Sequence, residues 1–430
     1  MSDSSARPLQ VGLNVRLSTM MFLQYAIWGA WLPILYPFLL GHRHFTLDQV
    51  GMILGAGAIG AVFGPFIAGQ VADRWFATER FLGISHLAGA VLVWKLAGTE
   101  SYTTFLALSA LYGVIFAPTL ALTNSLSFHH LPDRDRDFGK VRLWGTIGWI
   151  AAGIGVGQWL YFLHSPAGLG DAALQAAQDA GRADAFRLSA ILGALMGFYC
   201  FTLPHTPPSE GKQKSATLEA LGEIRRRPLA VLFLLAIPVS CIHQFYFVFT
   251  SDFLSKYGRE AASAINKVFG VGGGGLMTIG QMSEIAVLAF IPLFAKKVSR
   301  RSLLAVGLVA YALRMALFAY TDNLFTVLLG VALHGLCFGC FIFVAFMVVD
   351  EETTSDVRAS AQNLFNLVIV GIGIAVGSPI AVRIGAIAKP SDEVAMDWTK
   401  LFSFPMWAAL ACLVLLFLFY PSKPRAASAS

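Results

Sequence analysis

Long apolar runs separated by short polar loops form the main pattern of the chain. Twelve of these runs are about 20 residues or longer, the length that an α-helix needs to cross the hydrocarbon core of a bilayer. The predicted spans lie near residues 17–40, 47–72, 80–99, 103–128, 138–163, 186–204, 229–255, 268–295, 302–320, 323–349, 359–386 and 399–420. The pattern therefore predicts an all-α membrane protein with twelve transmembrane helices.

The longest polar stretch lies between the sixth and seventh predicted spans. Residues 205–228 contain two adjacent prolines and the basic run Arg225-Arg226-Arg227. This stretch predicts a cytoplasmic linker between two six-helix bundles, residues 1–204 and residues 229–430. Two halves of six spans match the layout in which each half contains inverted repeats and the substrate binds near the membrane midplane.

Composition and charge exclude several other classes of protein. Hydrophobic residues make up 56% of the 430 residues and charged residues only 13%, whereas soluble domains carry about 25% charge. The net charge of +6 lies in short clusters between apolar runs, so we expect no nucleic-acid partner. One side of the predicted topology has about twice as many Lys and Arg residues as the other, which places both termini in the cytoplasm. The five cysteines lie inside apolar runs, and we expect free thiols.

Two local motifs in the loops affect this picture. Gly69, Asp73, Arg74 and Arg80 lie where the second predicted span passes into the third, and they resemble the signature loop of the major facilitator superfamily. Asp73 can pair with an arginine or with the positive end of a helix, so we predict a latch that closes the cytoplasmic side. The equivalent loop in the second half, residues 296–301, is basic but has no aspartate, so a one-sided latch is expected. Residues 272–275 are all glycine, which predicts a broken start to the eighth span.

Polar side chains inside the first-half spans mark a candidate site, because such groups are costly in lipid and usually face a cavity. Gln24 and Trp28 are four residues apart in the first span. Arg142, Thr146 and Trp149 follow the spacing i, i+4 and i+7 in the fifth span, which places them on one helix face. Each of these faces combines hydrogen-bonding groups with aromatic rings.

The second half contributes a similar set of side chains. Gln244, Glu284 and His334 each lie near the middle of a predicted span. Gln281 precedes Glu284 by three residues, and Phe338 follows His334 by one helical turn. We therefore predict that residues of both halves converge on one substrate site at the same depth, with Glu284 and His334 as candidates for proton coupling.

Simpler explanations stay open for some of these residues. Trp28 fits an interfacial aromatic belt, Gln24 a hydrogen bond to a neighbouring helix, and Arg142 a side chain that extends to the membrane surface. Arg314 fits a structural partner of a carboxylate or of a helix terminus rather than a substrate contact.

Five segments, in order along the chain, resemble the bacterial nucleoside:proton symporter family of the major facilitator superfamily. They are residues 22–32 (FLQYAIWGAWL), 141–149 (VRLWGTIGW), 281–284 (QMSE), 313–320 (LRMALFAY) and 358–362 (RASAQ). The resemblance implies uptake of purine and pyrimidine nucleosides driven by the proton gradient. It also implies that the nucleoside site is lined by Arg142, Thr146, Trp149, Gln244, Gln281, Glu284, His334 and Phe338.

Three positions depart from the family pattern. Some members have Tyr where His334 stands, Asn where Phe247 stands, and Asp where Gly339 stands. The missing aspartate removes a carboxylate that could bind ribose or carry a proton, so it bears on base preference and on the coupling stoichiometry.

The sequence thus predicts a monomeric multi-pass carrier of the bacterial inner membrane that imports nucleosides with protons by alternating access. The expected partners are the nucleoside, protons and the lipid bilayer. A nucleoside uniporter or a major facilitator carrier of another small polar metabolite is the alternative, and a non-transporting membrane receptor fits less well. No catalytic group, cofactor or metal site is expected, so the chain is not predicted to be an enzyme.

Overall fold

Long apolar helices form the protein in the computed structural model. The structure describes residues 9–57, 60, 62–63, 77–207, 221–257, 263–272, 274–295, 297–354, 357–389, 391 and 395–421. Within these residues all regular secondary structure is helical, and eleven helices are long and apolar enough to cross a membrane. The second predicted span, residues 47–72, begins as a helix over Leu47–Gly57, and most of its remainder lies outside the described residues.

The first of two compact units comprises Met1–Gly211 and Phe247–Thr278. Its described helices are α1 (Val11–Trp31), α2 (Leu47–Gly57), α3 (Thr78–Gly98), α4 (Tyr102–His130), α5 (Arg134–Leu163), α6 (Asp171–Gly181), α7 (Ala183–Cys200) and α9 (Ser263–Phe269), with the end of α8 (Leu229–Ser255). After α1 the chain continues through irregular helical turns to His42, where Pro33 and Pro37 each remove a backbone donor. Helix α1 packs on both α5 and α7, and α3 packs on α7.

A close backbone approach fixes the crossing of α1 and α5. A Cβ atom at Gly148 would overlap the carbonyl oxygen of Phe22. Small residues allow such approaches between membrane helices, which associate mainly through tight packing. This crossing places the next residue, Trp149, beside α1.

The second unit comprises Lys212–Tyr246 and Ile279–Ser430. It contains the first part of α8, most of α10 (Gly274–Ala295), and then α11 (Arg300–Tyr320), α12 (Leu324–Ala332), α13 (Val344–Glu352), α14 (Arg358–Asn366), α15 (Gly373–Ala388) and α16 (Trp398–Phe419). Helix α11 packs on α16 and on the π-helical segment Cys337–Phe343. The limits of the two six-helix bundles that the sequence predicts, at residues 204 and 229, stay predictions.

Wide helical turns interrupt two spans of the second unit. A turn at Leu333 and the short helix His334–Leu336 lead into Cys337–Phe343, and a second π-helical segment covers Leu367–Ile372. Such turns are rare and often occur at functional sites, because they change the direction of neighbouring side chains.

The eighth span begins later than the sequence predicts. The short helix α9 ends at Phe269, and α10 starts at Gly274 rather than at residue 268. Gly270 and Gly272 between them have φ values of +72° and +80°, which stop a right-handed helix. The predicted break is therefore confirmed, but its position is shifted.

Candidate functional site

Gln24 of α1 connects three helices of the first unit. Its Nε2 donates a hydrogen bond of 2.9 Å to Oγ1 of Thr119 on α4, and its Oε1 lies 2.8 Å from Nε2 of His86 on α3. An amide oxygen only accepts hydrogen bonds, so His86 donates from Nε2. Gln24 is fully buried and both of its polar atoms have protein partners. This arrangement matches the hydrogen bond to a neighbouring helix, and the substrate role of Gln24 stays a prediction.

Arg142, Thr146 and Trp149 are all half-buried on α5, as their shared face predicts. The guanidinium carbon of Arg142 lies 4.0 Å from the centre of the Tyr25 ring, a cation–π contact. Trp149 meets Trp28 of α1 edge to face, with ring centroids 5.7 Å apart. The structure thus brings the predicted faces of α1 and α5 together.

Two more rings complete this group, which we call the aromatic cluster of the first unit. Phe247 of α8 lies 6.1 Å from Trp149, and Phe116 of α4 lies 6.1 Å from Trp28, measured between ring centroids. Both distances are typical of favourable aromatic pairs. The cluster offers several ring faces and edges for an aromatic ligand.

Glu284 and His334 form the polar centre of the second unit. Oε2 of Glu284 lies 3.7 Å from Nε2 of His334, and both side chains are buried. The neighbouring Ser283 hydroxyl donates a hydrogen bond of 2.5 Å to the carbonyl of Ala332 and accepts one of 3.0 Å from the N–H of Gly335. These bonds attach α10 to the turn that carries His334, and so they hold the carboxylate beside the imidazole.

Aromatic and basic side chains surround His334. Its ring stacks on Tyr246 and His243 of α8, with centroids 4.8 Å and 5.3 Å apart. Nη1 of Arg314 on α11 lies 3.1 Å from Nδ1 of His334, and the hydroxyl of Tyr311 lies 2.8 Å from Nδ1 of His243. His334 therefore has a fixed cation on one side and a carboxylate on the other.

The environment of Arg314 corrects a prediction. Within the described residues its hydrogen-bond partner is the His334 ring, not a carboxylate or a helix terminus. The guanidinium carbon also lies 4.4 Å from the ring centre of Tyr246 and 5.0 Å from that of Tyr311. The sequence does not show that α11 packs against the turn at His334, so these partners could not be foreseen.

The other predicted residues of the second unit are less closely connected. Gln244 is buried, and its Oε1 accepts a long hydrogen bond of 3.4 Å from Ser378 on α15. Gln281 is also buried, and its Oε1 has no hydrogen-bond partner within the described part of the chain. Phe338 is half-buried in the π-helical segment. Gln281 thus keeps an acceptor for a ligand.

Apolar packing occupies the place of the missing family aspartate. A Cβ atom at Gly339 would lie 2.6 Å from Cγ1 of Val287 and 3.0 Å from Cδ1 of Ile291, both on α10. These distances are too short for a side chain without repacking. A carboxylate therefore does not fit at residue 339 in this conformation.

The predicted latch is described only in part. Three of its residues lie outside the described residues: Gly69, Asp73 and Arg74. Arg80 is exposed in the first turn of α3. Its neighbour Glu79 is buried, accepts a hydrogen bond of 2.9 Å from the N–H of Thr206 and lies 2.8 Å from Nδ1 of His205. These bonds connect the start of α3 to the segment after α7.

The second-half loop obtains its carboxylate from elsewhere in the chain. Nε of Arg300 donates a hydrogen bond of 3.0 Å to Oε2 of Glu351 at the end of α13, and Nη2 contacts Oε1. This bidentate geometry is the strongest form of an arginine–carboxylate pair. The missing aspartate in the loop therefore does not leave Arg300 without an acidic partner.

The sequence reasoning missed several residues of these clusters, among them His86, His243, Tyr246 and Tyr311. A signal was present for His86, which is an ionisable residue inside the third predicted span. His243 and Tyr246 are three residues apart and flank Gln244, so helical periodicity places them on one face. The contact between Tyr311 and His243 links distant helices and leaves no mark in the sequence.

The described residues form neither a disulfide bond nor a cluster of three or more possible metal ligands. All five cysteines are free thiols, as predicted. No group of three or more His, Cys, Asp or Glu side chains among the described residues is placed to hold a metal ion.

The apolar helices are those of a polytopic membrane protein, and solved structures show its fold. The crystal structure of the nucleoside transporter NupG matches with a TM-score of 0.80 at 24% identity, over 96% of this chain and all of that chain. An inward-facing bacterial homologue of the human lysosomal transporter Spinster matches with a TM-score of 0.69 at 15% identity, over 95% and 94%. The fold is of the major facilitator type.

The family follows from sequence comparison. The profile of the nucleoside H+ symporter family matches residues 11–425. Xanthosine permease of Escherichia coli strain K12 is 30% identical over 424 residues, which cover 95% of this chain and 96% of that protein. Nucleoside permease NupG of the same strain is 26% identical, over 87% and 88% of the two chains. The chain belongs to the nucleoside:proton symporter family, and its function is proton-coupled nucleoside transport.

Proposed function

We propose that the protein imports nucleosides across the bacterial inner membrane by alternating access, with Glu284 and His334 as its proton-coupling pair. In this proposal the chain has twelve spans, keeps both termini in the cytoplasm and works as a monomer. The contact of 3.7 Å between Glu284 and His334 carries the proposal. A carboxylate inside a membrane span indicates a functional site, and such groups form proton relays in pumps and transporters. A neighbouring imidazole can stabilise its charge.

Different side chains of the predicted set are suited to different parts of a nucleoside. Aromatic rings stack on the base, and Trp149 and Phe338 are suited to this role, since stacking contributes about 1–3 kcal/mol per base in other sites. Amide, guanidinium and carboxylate groups bind the ribose hydroxyls and the base edges. The proposed set is Gln24, Trp28, Arg142, Thr146, Trp149, Gln244, Gln281, Glu284, His334 and Phe338. Oε1 of Gln281, which has no partner among the described side chains and backbone groups, supports a contact with a donor group of the ligand.

Proton movement supplies the driving force. Each proton that moves inward through about 100 mV releases about 2.3 kcal/mol. Glu284 takes up a proton from the periplasmic side and releases it to the cytoplasm, while a latch of Gly69, Asp73, Arg74 and Arg80 closes the cytoplasmic side during loading.

Uptake into proteoliposomes tests this function. Purified protein is reconstituted, and uptake of radiolabelled uridine, adenosine and inosine is measured with and without an inward proton gradient. We expect the gradient to drive accumulation above the external concentration, and Glu284→Gln to abolish accumulation while nucleoside binding persists. Glu100→Gln removes an exposed carboxylate between α3 and α4 and serves as the matched control.

Three outcomes would contradict the proposal. Equilibration without accumulation would indicate a uniporter. Preferred uptake of sugars or peptides would indicate another substrate class. Unimpaired gradient-driven uptake by Glu284→Gln would remove that residue from proton coupling.

A further inference from the structure

Arg314 contacts one of the two ring nitrogens of His334. We infer that Arg314 is a positioning residue that keeps His334 neutral, with its proton on Nε2, so that the transported proton binds Glu284 and not His334. This inference rests on the proposed function, because it assigns the proton within the proposed coupling pair. It separates two residues that the sequence offers together as candidates for proton coupling.

The hydrogen bond between Arg314 and His334 determines the tautomer. A guanidinium group carries only donors and stays protonated in proteins. Nη1 of Arg314 lies 3.1 Å from Nδ1 of His334, so Nδ1 must offer its lone pair. The neutral imidazole then has its proton on Nε2, which is the nitrogen that faces Oε2 of Glu284 at 3.7 Å.

A second proton on His334 would disrupt this arrangement. It would turn Nδ1 into a donor that faces another donor, and it would place two cations side by side in a buried site. Arg314 is fully buried, and His334 is only 2% exposed. Charges interact strongly in such surroundings, because little water is present to screen them.

Charged and titratable groups from several described elements lie around the His334–Arg314 pair. They are His243 and Tyr246 from α8, Glu284 from α10, Tyr311 from α11, and Cys337, which interacts electrostatically with Arg314. Of these, the carboxylate of Glu284 favours a second proton on His334, and the adjacent guanidinium of Arg314 opposes it. Nε and Nη2 of Arg314 have no hydrogen-bond partner within the described part of the chain. Among those residues the guanidinium is held by the faces of two tyrosine rings and by His334, so no hydrogen-bonded carboxylate offsets its charge there.

The proton step balances on Glu284 alone. Its carboxylate binds a proton from the periplasmic side and becomes a carboxylic acid, and the same O–H bond breaks when the proton leaves to the cytoplasm. His334 keeps its Nε2 proton throughout and presents it to the oxygen of Glu284. Arg314 gains and loses no proton.

Nuclear magnetic resonance of the full chain in lipid nanodiscs reads the tautomer directly. Histidines are labelled with 15N, and the His334 signal is identified by its loss in His334→Gln. We expect one neutral form with the proton on Nε2 between about pH 5 and 8, the range in which an ordinary histidine changes charge. A protonated ring, or a proton on Nδ1, would overturn the inference. Because this readout does not depend on transport, it stands apart from the proposed function.

Variants of Arg314 test the cause. Arg314→Lys keeps a cationic donor and should keep the single tautomer, whereas Arg314→Gln should give a mixture of forms. An unchanged spectrum in Arg314→Gln would overturn the positioning role. If Arg314→Gln fails to fold, the wild-type spectrum still tests the inference, because a proton on Nδ1 is incompatible with a hydrogen bond from Arg314.

Transport measurements distinguish the role of Glu284 from that of His334. Gln reaches the position of Nε2 and has an N–H donor but cannot carry the proton, so His334→Gln should slow uptake while the proton gradient still drives accumulation. Glu284→Gln should lose accumulation completely. Loss of accumulation in both variants would overturn the inference but leave the proposed function intact. Absence of gradient-driven uptake in the wild type would instead overturn the proposed function.

Discussion

Oε1 of Gln24 and Nε2 of His86 lie 2.8 Å apart, and both side chains are buried where α1 meets α3. Thr119 of α4 completes the connection through Nε2 of Gln24. A buried hydrogen bond of this kind contributes most to stability when its loss would leave a polar partner unsatisfied.

We expect Gln24→Leu to destabilise the protein by about 1–3 kcal/mol for each partner that it leaves unpaired, measured as a lower thermal unfolding midpoint in detergent. His86→Leu should have a similar effect. In the double variant the two losses should not add, because they remove the same bond. If Gln24→Leu lowers the free energy of uridine binding by more than it lowers the free energy of unfolding, the substrate role of Gln24 is supported instead.

Helix α5 supplies a matched pair for the packing of α1. Gly148→Ala places a methyl group on the Phe22 carbonyl, whereas a Cβ at Gly155 meets no atom within 4 Å. We expect Gly148→Ala to cost about 1–3 kcal/mol by overpacking, with reduced folded yield in detergent. Gly155→Ala should be neutral or slightly stabilising, since alanine favours the helix. Equal stability of the two variants would contradict the close approach.

The sequence predicts most span boundaries well, because a helix that crosses the bilayer needs about 20 apolar residues in a row and such runs are visible in the sequence. Predicted spans such as 229–255 and 302–320 agree with α8 and α11 to within two residues. The start of α10 was displaced by several residues, since a run of apolar and glycine residues does not reveal where positive φ angles stop the helix. Gly270 and Gly272 show this only in the backbone geometry.

The sequence offers the residue types of the candidate site but not their partners. Position inside a span marks Glu284 and His334 as candidates, because ionisable groups are rare in spans. It could not show that Arg314 lies against His334, or that Gln24 has both of its amide atoms engaged. These relations depend on how distant helices pack, and helical periodicity reports only the face on which each residue lies.

The break before α10 gives a third prediction. Gly270 has a φ of +72° and lies directly on the backbone of Gly157, whose carbonyl accepts a hydrogen bond of 3.0 Å from Val271. Gly270→Ala combines backbone strain of about 1–2 kcal/mol with a steric overlap. Gly168 has a φ of +86° but open space around it, so Gly168→Ala isolates the strain. We expect Gly270→Ala to lower the unfolding midpoint clearly more than Gly168→Ala does. Equal effects would show that the contact with Gly157 adds nothing to stability.

Trp149 and Trp144 test the aromatic cluster of the first unit on a single helix. Trp149 is half-buried and meets Trp28 and Phe247, whereas Trp144 is 44% exposed. If a nucleobase stacks on Trp149, its replacement by Ala should remove about 1–3 kcal/mol of binding free energy, which corresponds to uridine affinity roughly five to 150 times weaker.

Isothermal titration of the purified protein with uridine measures this loss. Trp144→Ala removes a ring of the same size that is not part of the aromatic cluster. It should therefore change the affinity less than about threefold, well below the tenfold change that corresponds to 1.4 kcal/mol. Trp149→Phe keeps a ring and should recover part of the affinity, which distinguishes stacking from a general loss of packing. If Trp149→Ala and Trp144→Ala bind uridine equally well, the base does not stack on Trp149, and the aromatic cluster serves the packing of α1 against α5 instead.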